Sequence, residues 1–217
     1  MLRFTVDRQL NPIRQILCLG AHSDDIEIGC GGTILRILDE FEDIEVKWIV
    51  FSADQARKIE AAQSADKFLA KACKREIKIE EFRDGFFPYI GAQIKEYFEK
   101  LKKEVSPDLI FAPCREDLHQ DHRMISELAW NTFRDHFILE YEIPKYDGDF
   151  GRPNFYVALE KEVCLRKVDI ILNTFRSQKS RNWFTADAFL SVMKLRGIEI
   201  NAMGNYAEAF YGRKVCF

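Results

Sequence analysis

Hydrophobic positions in this chain follow two patterns: short continuous apolar runs, and longer stretches whose apolar residues recur three and four positions apart. The first pattern is typical of strands buried on both faces of a sheet, and the second of helices. The runs predict strands at Gln15 to Ala21, Ile44 to Phe51, Glu76 to Phe82 and Asp108 to Ala112. The spaced stretches predict helices at Gly31 to Phe41, Ala56 to Ala72, Ile94 to Val105 and His122 to Arg134. This alternation predicts an α/β fold with a Rossmann-like, mostly parallel sheet and helices on both faces.

The last third of the chain departs from this alternation. It predicts strands at Phe137 to Ile143 and Asn154 to Leu159, joined by a turn-rich stretch, and helices at Glu160 to Thr174 and Ala186 to Arg196. We interpret this part as a C-terminal extension that completes a pocket. Because 217 residues is an ordinary length for one domain, we expect residues 1–217 to form a single domain.

Charge and cysteine usage narrow the function classes. The 32 Lys and Arg residues against 35 Asp and Glu give a net charge of -3, which argues against nucleic-acid binding because that needs clustered positive charge. No run approaches the ~18 consecutive apolar residues of a membrane helix. The segment Met1 to Arg14 lacks the apolar core of a signal peptide. The six cysteines form no CxxC pair, which favours a reduced, cytoplasmic protein.

Residues with catalytic chemistry concentrate in two loops, one after the first predicted strand and one after the fourth. These loops hold three of the four histidines of the chain, His22, His119 and His122. The carboxyl ends of parallel strands are where open α/β sheets bind ligands. Imidazole and carboxylate are standard zinc ligands, and three of them with one open position make a catalytic site. The set His22, Asp25 and His122 could supply these three ligands.

Other interpretations of the first loop are less complete. Its glycines suggest a dinucleotide phosphate site, but the loop does not match GxGxxG, and its carboxylates Asp24, Asp25 and Glu27 would repel a pyrophosphate. Taken singly, His22 also suits a strand-end histidine bonded to backbone, and Asp25 a helix N-cap. The grouping of histidines in these two loops favours the metal site.

The two loops resemble a known family. The segment His22-Ser23-Asp24-Asp25-Ile26-Glu27, followed by Gly29-Cys30-Gly31-Gly32, resembles the first signature of the LmbE/PIG-L family of metal-dependent N-acetylglucosaminyl deacetylases. His119-Gln120-Asp121-His122 resembles its second signature, HxDH. Weaker similarity at Arg57 to Ala61 and Tyr206 to Phe210 extends the resemblance over most of the chain. The family usually has Pro where this chain has Ser23, which leaves the loop less constrained here.

The resemblance implies a metal and its ligands. His22, Asp25 and His122 are expected to hold Zn2+, and two histidines with a carboxylate also suit Fe2+. Asp24 is expected to be the general base, taking a proton from water that the metal activates.

The remaining positions of the second motif are expected to assist catalysis. The resemblance implies that His119 stabilises the oxyanion and helps protonate the leaving amine. Asp121 is expected to hydrogen-bond a histidine, His119 above all, and to favour its imidazolium form. Capping of the helix near His122 is the alternative role for Asp121.

Two residues are candidates for substrate binding. Arg57 is expected to contact sugar hydroxyls or a phosphate, although an i,i+3 ion pair with Glu60 explains it equally well. Asp84 follows the third predicted strand, where it could bind hydroxyls or serve as a turn residue.

These expectations add up to a zinc hydrolase that deacetylates an N-acetyl amino sugar, a GlcNAc-type conjugate. One alternative is an N-acyl amidase acting on another amine, such as an antibiotic or another glycoside. A non-catalytic sugar-binding relative is a further alternative. The expected partner is a small-molecule conjugate. The group attached to the sugar and the oligomeric state stay open, a homo-oligomer included.

Overall fold

A computed structural model describes residues 13–215 of the chain. A seven-stranded sheet has the strand order β3-β2-β1-β4-β5-β7-β6. The strands are β1 (Gln15–His22), β2 (Glu45–Ser52), β3 (Lys74–Ile79), β4 (Leu109–Pro113), β5 (Phe137–Tyr141), β6 (Phe155–Leu159) and β7 (Tyr206–Gly212). The helices are α1 (Asp25–Glu40), α2 (Gln55–Phe68), α3 (Gly91–Glu104), α4 (Gln120–Thr132), α5 (Lys161–Thr174) and α6 (Ala186–Glu199). Strands β1 to β5 pair in parallel, and β7 is antiparallel to both of its neighbours.

The central strand β1 is buried on both faces, as a continuous apolar run predicts. Ile16 and Cys18 belong to one hydrophobic cluster, while Leu17 and Leu19 belong to a second cluster on the opposite face. The first cluster includes residues of α1, α2, α5 and α6, and the second includes residues of α3 and α4. Helices therefore cover both faces of the sheet, and the predicted α/β class is confirmed.

Helix α1 begins at Asp25, six residues before the predicted start at Gly31. The glycines of this segment favoured its interpretation as a loop, because glycine lowers helix propensity. Close packing explains them instead: a Cβ atom on Gly29 would collide with the ring of Tyr141 on β5. The early start places the acidic residues of the first loop at the amino end of a buried helix.

The C-terminal extension contributes a strand that the hydrophobic pattern did not predict. Strand β7 lies between β5 and β6, so these two predicted strands are not neighbours. Glu208, in the middle of β7, is buried and accepts hydrogen bonds from the backbone N–H groups of Gly32 and Thr33 at 2.8 and 2.6 Å. Lys167 of α5 donates to the same carboxylate at 2.6 Å. Glu208 thus ties the extension to helix α1.

Two further predictions concern the cysteines and membrane-spanning helices. The cysteines described within residues 13–215 are free, and Cys216 lies outside the described residues. Within the same range, none of the helices has the length and apolar character needed to span a bilayer.

Candidate active site

The carboxyl ends of β1 and β4 lie side by side because these strands pair in parallel. His22 is the last residue of β1, and α1 starts three residues later. Strand β4 ends at Pro113, and His122 lies in the first turn of α4. The Nδ1 atom of His22 is 3.1 Å from Nε2 of His122, although 100 positions separate the two residues. The two loops singled out in the sequence therefore meet at one point.

The Asp25 carboxylate completes this meeting point. Its Oδ2 atom lies 3.3 Å from His122 Nε2 and 3.6 Å from His22 Nδ1, and it accepts a 2.7 Å hydrogen bond from the His22 backbone N–H. Asp25 is the first residue of α1, and the N-cap position belongs to Asp24. The capping role considered for Asp25 is therefore wrong, and its carboxylate faces the two imidazoles.

The outer edges of both imidazoles meet carboxylates. His122 Nδ1 lies 2.9 Å from Asp117 Oδ2. His22 Nε2 lies 3.1 Å from Asp84 Oδ1 and 3.4 Å from Asp121 Oδ2. A neutral imidazole carries one N–H, and these acceptors place that proton on the outer edge of each ring.

With their protons outside, both rings point lone pairs inward. The inner atoms are His22 Nδ1, His122 Nε2 and Asp25 Oδ2, separated by 3.1, 3.3 and 3.6 Å. Ligand atoms on a tetrahedral zinc with bonds of about 2.0 to 2.2 Å lie about 3.3 to 3.6 Å apart. Three electron-pair donors this close repel one another unless a metal ion or a bound proton lies between them. The donor set therefore fits Zn2+ or Fe2+.

Electrostatics at this point favour positive charge. Burial alone would lower the pKa of His122, but the Asp25 and Asp117 carboxylates outweigh it and raise the pKa to about 9. Burial likewise opposes protonation of His22, and the carboxylates of Asp25 and Asp121 again raise its pKa. The pKa of Asp25 is lowered despite its burial because both imidazoles face it.

Asp24 differs from its neighbour in lacking a direct contact with the two imidazoles. It occupies the N-cap position of α1 without a capping hydrogen bond from its side chain, and it is only 7% exposed. Burial and the nearby Asp25 carboxylate raise the pKa of Asp24 to about 6, although His22 and Arg57 partly offset this. A carboxylate with this pKa exchanges protons close to neutral pH.

His119 is held as a neutral imidazole. It is the N-cap residue of α4, and its Nδ1 accepts a 3.2 Å hydrogen bond from the backbone N–H of Asp121. The ring proton therefore lies on Nε2. Burial and the neighbouring His122 and His22 lower the pKa of His119. This corrects the expectation of an imidazolium at this position.

The carboxylate of Asp121 does not have the partner predicted for it. It accepts hydrogen bonds from the backbone N–H groups of Gly85 at 2.6 Å and Phe87 at 3.1 Å, and it approaches His22 rather than His119. Asp121 lies in the first turn of α4, so its side chain points toward the loop after β3. That loop turns at Gly85, whose φ of +76° favours glycine. The expected hydrogen bond to a histidine is present, but it goes to His22 at 3.4 Å and not to His119. The capping role is wrong, because His119 is the N-cap residue of α4.

The candidate substrate residues lie beside the candidate metal-binding group, since Asp84 contacts both His22 and Arg57. Arg57 contacts Asp54 at 3.3 Å and Asp84 at 3.4 Å, whereas Glu60 accepts hydrogen bonds from Ser177 instead of pairing with Arg57. Arg57 and Asp84 line an open cleft of about 370 Å³ at this edge of the sheet. The cleft offers both hydrogen-bond donors and acceptors to a ligand.

Sequence reasoning missed Asp117 and Lys145. Asp117 is 3% exposed and contacts His122, and Lys145 lies 2.9 Å from the same carboxylate. The position of Asp117, two residues before His119 in a loop rich in histidine and aspartate, is a signal that could have drawn attention to it. Lys145 lies in the turn-rich stretch, where no pattern marks its partner.

Solved structures share this fold. The conserved protein TT1542 from Thermus thermophilus superposes with a TM-score of 0.71 and 22% identity, covering 94% of this chain and 97% of that one. The zinc-inhibited form of teicoplanin deacetylase Orf2 gives a TM-score of 0.72 at 11% identity, covering 91% and 97%. At these identities the likeness concerns the fold.

Sequence comparison adds one curated relative and a family match. A diacetylchitobiose deacetylase from Thermococcus kodakarensis is 25% identical over 136 aligned positions, which cover 56% of this chain and 50% of that protein. The chain therefore matches about half the length of this curated relative. The family profile described as PIG-L, GlcNAc-PI de-N-acetylase, matches residues 17–133, a range that contains most of β1, all of β4 and both loops of the site. On the strength of that match, the chain belongs to the PIG-L family, as its two signatures suggested.

Proposed function

We propose that this protein is a metal-dependent hydrolase that removes the acetyl group from the nitrogen of an amino-sugar conjugate. One observation carries the proposal: three inward-facing electron-pair donors lie beside a buried carboxylate that has no capping partner. Water activation needs a cation and a base next to each other, and these groups supply both. We propose Zn2+ as the metal, with Fe2+ as the other ion that suits this donor set.

The cation would be held by His22, Asp25 and His122. When bound, it supplies Lewis acidity, which acidifies water and polarises a carbonyl group. Asp24 accepts the proton of the attacking water on its carboxylate while the new C–O bond forms. Its pKa is about 6 in the metal-free protein, so the carboxylate is ionised at neutral pH, and a bound cation would favour that ionised form further.

His119 stabilises the tetrahedral intermediate. Because its Nδ1 accepts from the backbone N–H of Asp121, its Nε2–H is free to donate to the developing oxyanion. The proton held by Asp24 then passes to the amide nitrogen as the C–N bond breaks. Acetate and the free amine leave, and Asp24 is again ionised.

Arg57 and Asp84 bind the sugar in this proposal. The guanidinium of Arg57 is held by Asp54 and Asp84, and Arg57 lines the cleft, where the N–H groups that these contacts leave over would donate to hydroxyls. The side chain of Asp84 is half exposed and accepts from hydroxyl groups. A diacetylchitobiose deacetylase matches this chain in sequence and a teicoplanin deacetylase matches it in fold, so the named conjugates differ between these two proteins.

The experiment is amine and acetate release from a panel of N-acetyl sugars, with metal analysis of the same purified sample. We expect one bound metal ion per site and turnover of at least one GlcNAc-type conjugate. Metal-loaded protein that releases nothing from any N-acetyl sugar would contradict the proposal. Turnover confined to non-sugar amides would favour the N-acyl amidase. Sugar binding without turnover would favour the non-catalytic relative.

A further inference from the structure

The Asp117 carboxylate lies against the edge of His122 that faces away from the cation position. Its Oδ2 atom is 2.9 Å from His122 Nδ1, whereas Nε2, on the opposite edge of the ring, is 3.3 Å from Asp25 Oδ2. The Asp117 side chain is 2% exposed, so solvent does not compete for this contact. The contact keeps the ring proton on Nδ1 and leaves the Nε2 lone pair directed inward.

Asp117 is itself fixed by several donors. Its Oδ1 accepts from the His119 backbone N–H at 2.8 Å, and its Oδ2 accepts from Lys145 Nζ at 2.9 Å. Lys145 also donates to both oxygens of Asp149, at 2.6 and 2.5 Å. Asp149 in turn accepts from the Leu118 backbone N–H at 2.8 Å. The carboxylate is therefore held in one orientation, and the turn-rich stretch supplies the ammonium that holds it.

The charges of this group favour a metal on the far side of His122. Two carboxylates share the Lys145 ammonium, and the one that contacts the imidazole is Asp117. A carboxylate that accepts the outer N–H of a metal-binding histidine orients the ring and strengthens it as a ligand. Asp121 and Asp84 face the outer edge of His22 in the same way, but Asp84 is half exposed there.

We propose that Asp117 is a positioning residue for the metal: it fixes the tautomer and direction of His122, and Lys145 keeps the carboxylate in place. The same carboxylate sets the backbone of His119 and so positions both histidines of the second motif. The inference rests on the metal site of the proposed function, and it does not depend on which amide is hydrolysed.

Zinc affinity of the full chain tests this role. Competition with a chromogenic chelator at fixed pH would compare the wild type with Asp117→Asn and Asp117→Ala. We expect the Kd for Zn2+ to rise about 10-fold in the Asn variant, whose amide oxygen still accepts from Nδ1–H, and about 100-fold in the Ala variant. Glu99→Gln is the matched control, because Glu99 pairs with Lys95 and Lys102 on α3. Its Kd should equal that of the wild type.

A second measurement needs no variant. Long-range proton–nitrogen NMR of the zinc-loaded wild type should show His122 protonated on Nδ1 and metal-bound through Nε2. Binding through Nδ1 would overturn the inference. A folded Asp117→Asn variant whose Kd stays within twofold of wild type would also overturn it, even if its Tm fell. Asp117 would then contribute only to the stability of the fold. Zinc binding that weakens as expected in a protein without deacetylase activity would sustain this inference and refute the proposed function.

Discussion

The loop after β1 and the loop after β4 contribute different properties to one site. The first loop concentrates buried negative charge: Asp24 and Asp25 are adjacent, and the Asp24 side chain makes no capping hydrogen bond. The second loop supplies imidazoles whose ring nitrogens are held from outside, His119 by a backbone N–H and His122 by Asp117. The first loop therefore supplies the reactive carboxylate, and the second loop holds its imidazoles in fixed orientations. Substitutions in the two loops should fail in different ways.

The largest effect is expected from Asp24→Asn. Loss of a general base lowers the rate about 10²- to 10⁴-fold, because amide oxygen takes no proton from water at neutral pH. Metal content should stay at the wild-type level, since the inward-facing donors belong to His22, Asp25 and His122. Measured kcat/KM alongside metal analysis checks both parts. Full activity in a metal-loaded Asn variant would remove Asp24 as the base.

The second loop should respond to His119→Ala with a loss of about 10²- to 10³-fold in kcat, the range for removal of one oxyanion donor. KM and metal content should change little, because the Nε2–H acts on charge that develops in the transition state. His136→Ala is the matched control, since His136 contacts Asp135 and Phe133 outside the site. A rise in KM without a fall in kcat would assign His119 to substrate binding instead.

The buried carboxylate of Asp24 in the first loop also predicts that wild type and Asp24→Asn differ in stability. Burial raises the pKa of Asp24 from 3.8 to about 6, so the folded state holds this proton more tightly than the unfolded chain does. The carboxylate therefore destabilises the fold progressively as pH rises from 3.8 to 6. In metal-free protein at pH 8, Asp24→Asn should raise the free energy of unfolding by about 3 kcal/mol, and the two proteins should match below pH 3.8. Urea unfolding at both pH values measures this, and equal stability at pH 8 would contradict it.

The sequence predicted the meeting of the two loops for a physical reason. Residues at the carboxyl ends of neighbouring parallel strands share one edge of the sheet, so His22 and His122 had to lie close if β1 and β4 paired. The partner of Asp121 was not predictable in this way, because it depends on where α4 starts and on the turn at Gly85. Strand β7 escaped prediction because Glu208 interrupts its apolar pattern, and that carboxylate is paired only through the tertiary structure.

The smallest expected effect is a rise in Zn2+ affinity of about tenfold per pH unit, because protons and the metal compete for the same imidazole nitrogens. Carboxylates raise the pKa of His122 to about 9 in the metal-free protein, so at neutral pH the cation position holds a proton that a metal must displace. Affinity for Zn2+ should therefore rise with pH from 6 to 8, since the pKa of His22 is raised as well. Chelator competition at pH 6, 7 and 8 in one buffer system measures the slope. A flat profile would mean that the imidazoles are already neutral without metal. The Asp25 carboxylate of the first loop would then not raise the pKa of His122 in the second loop.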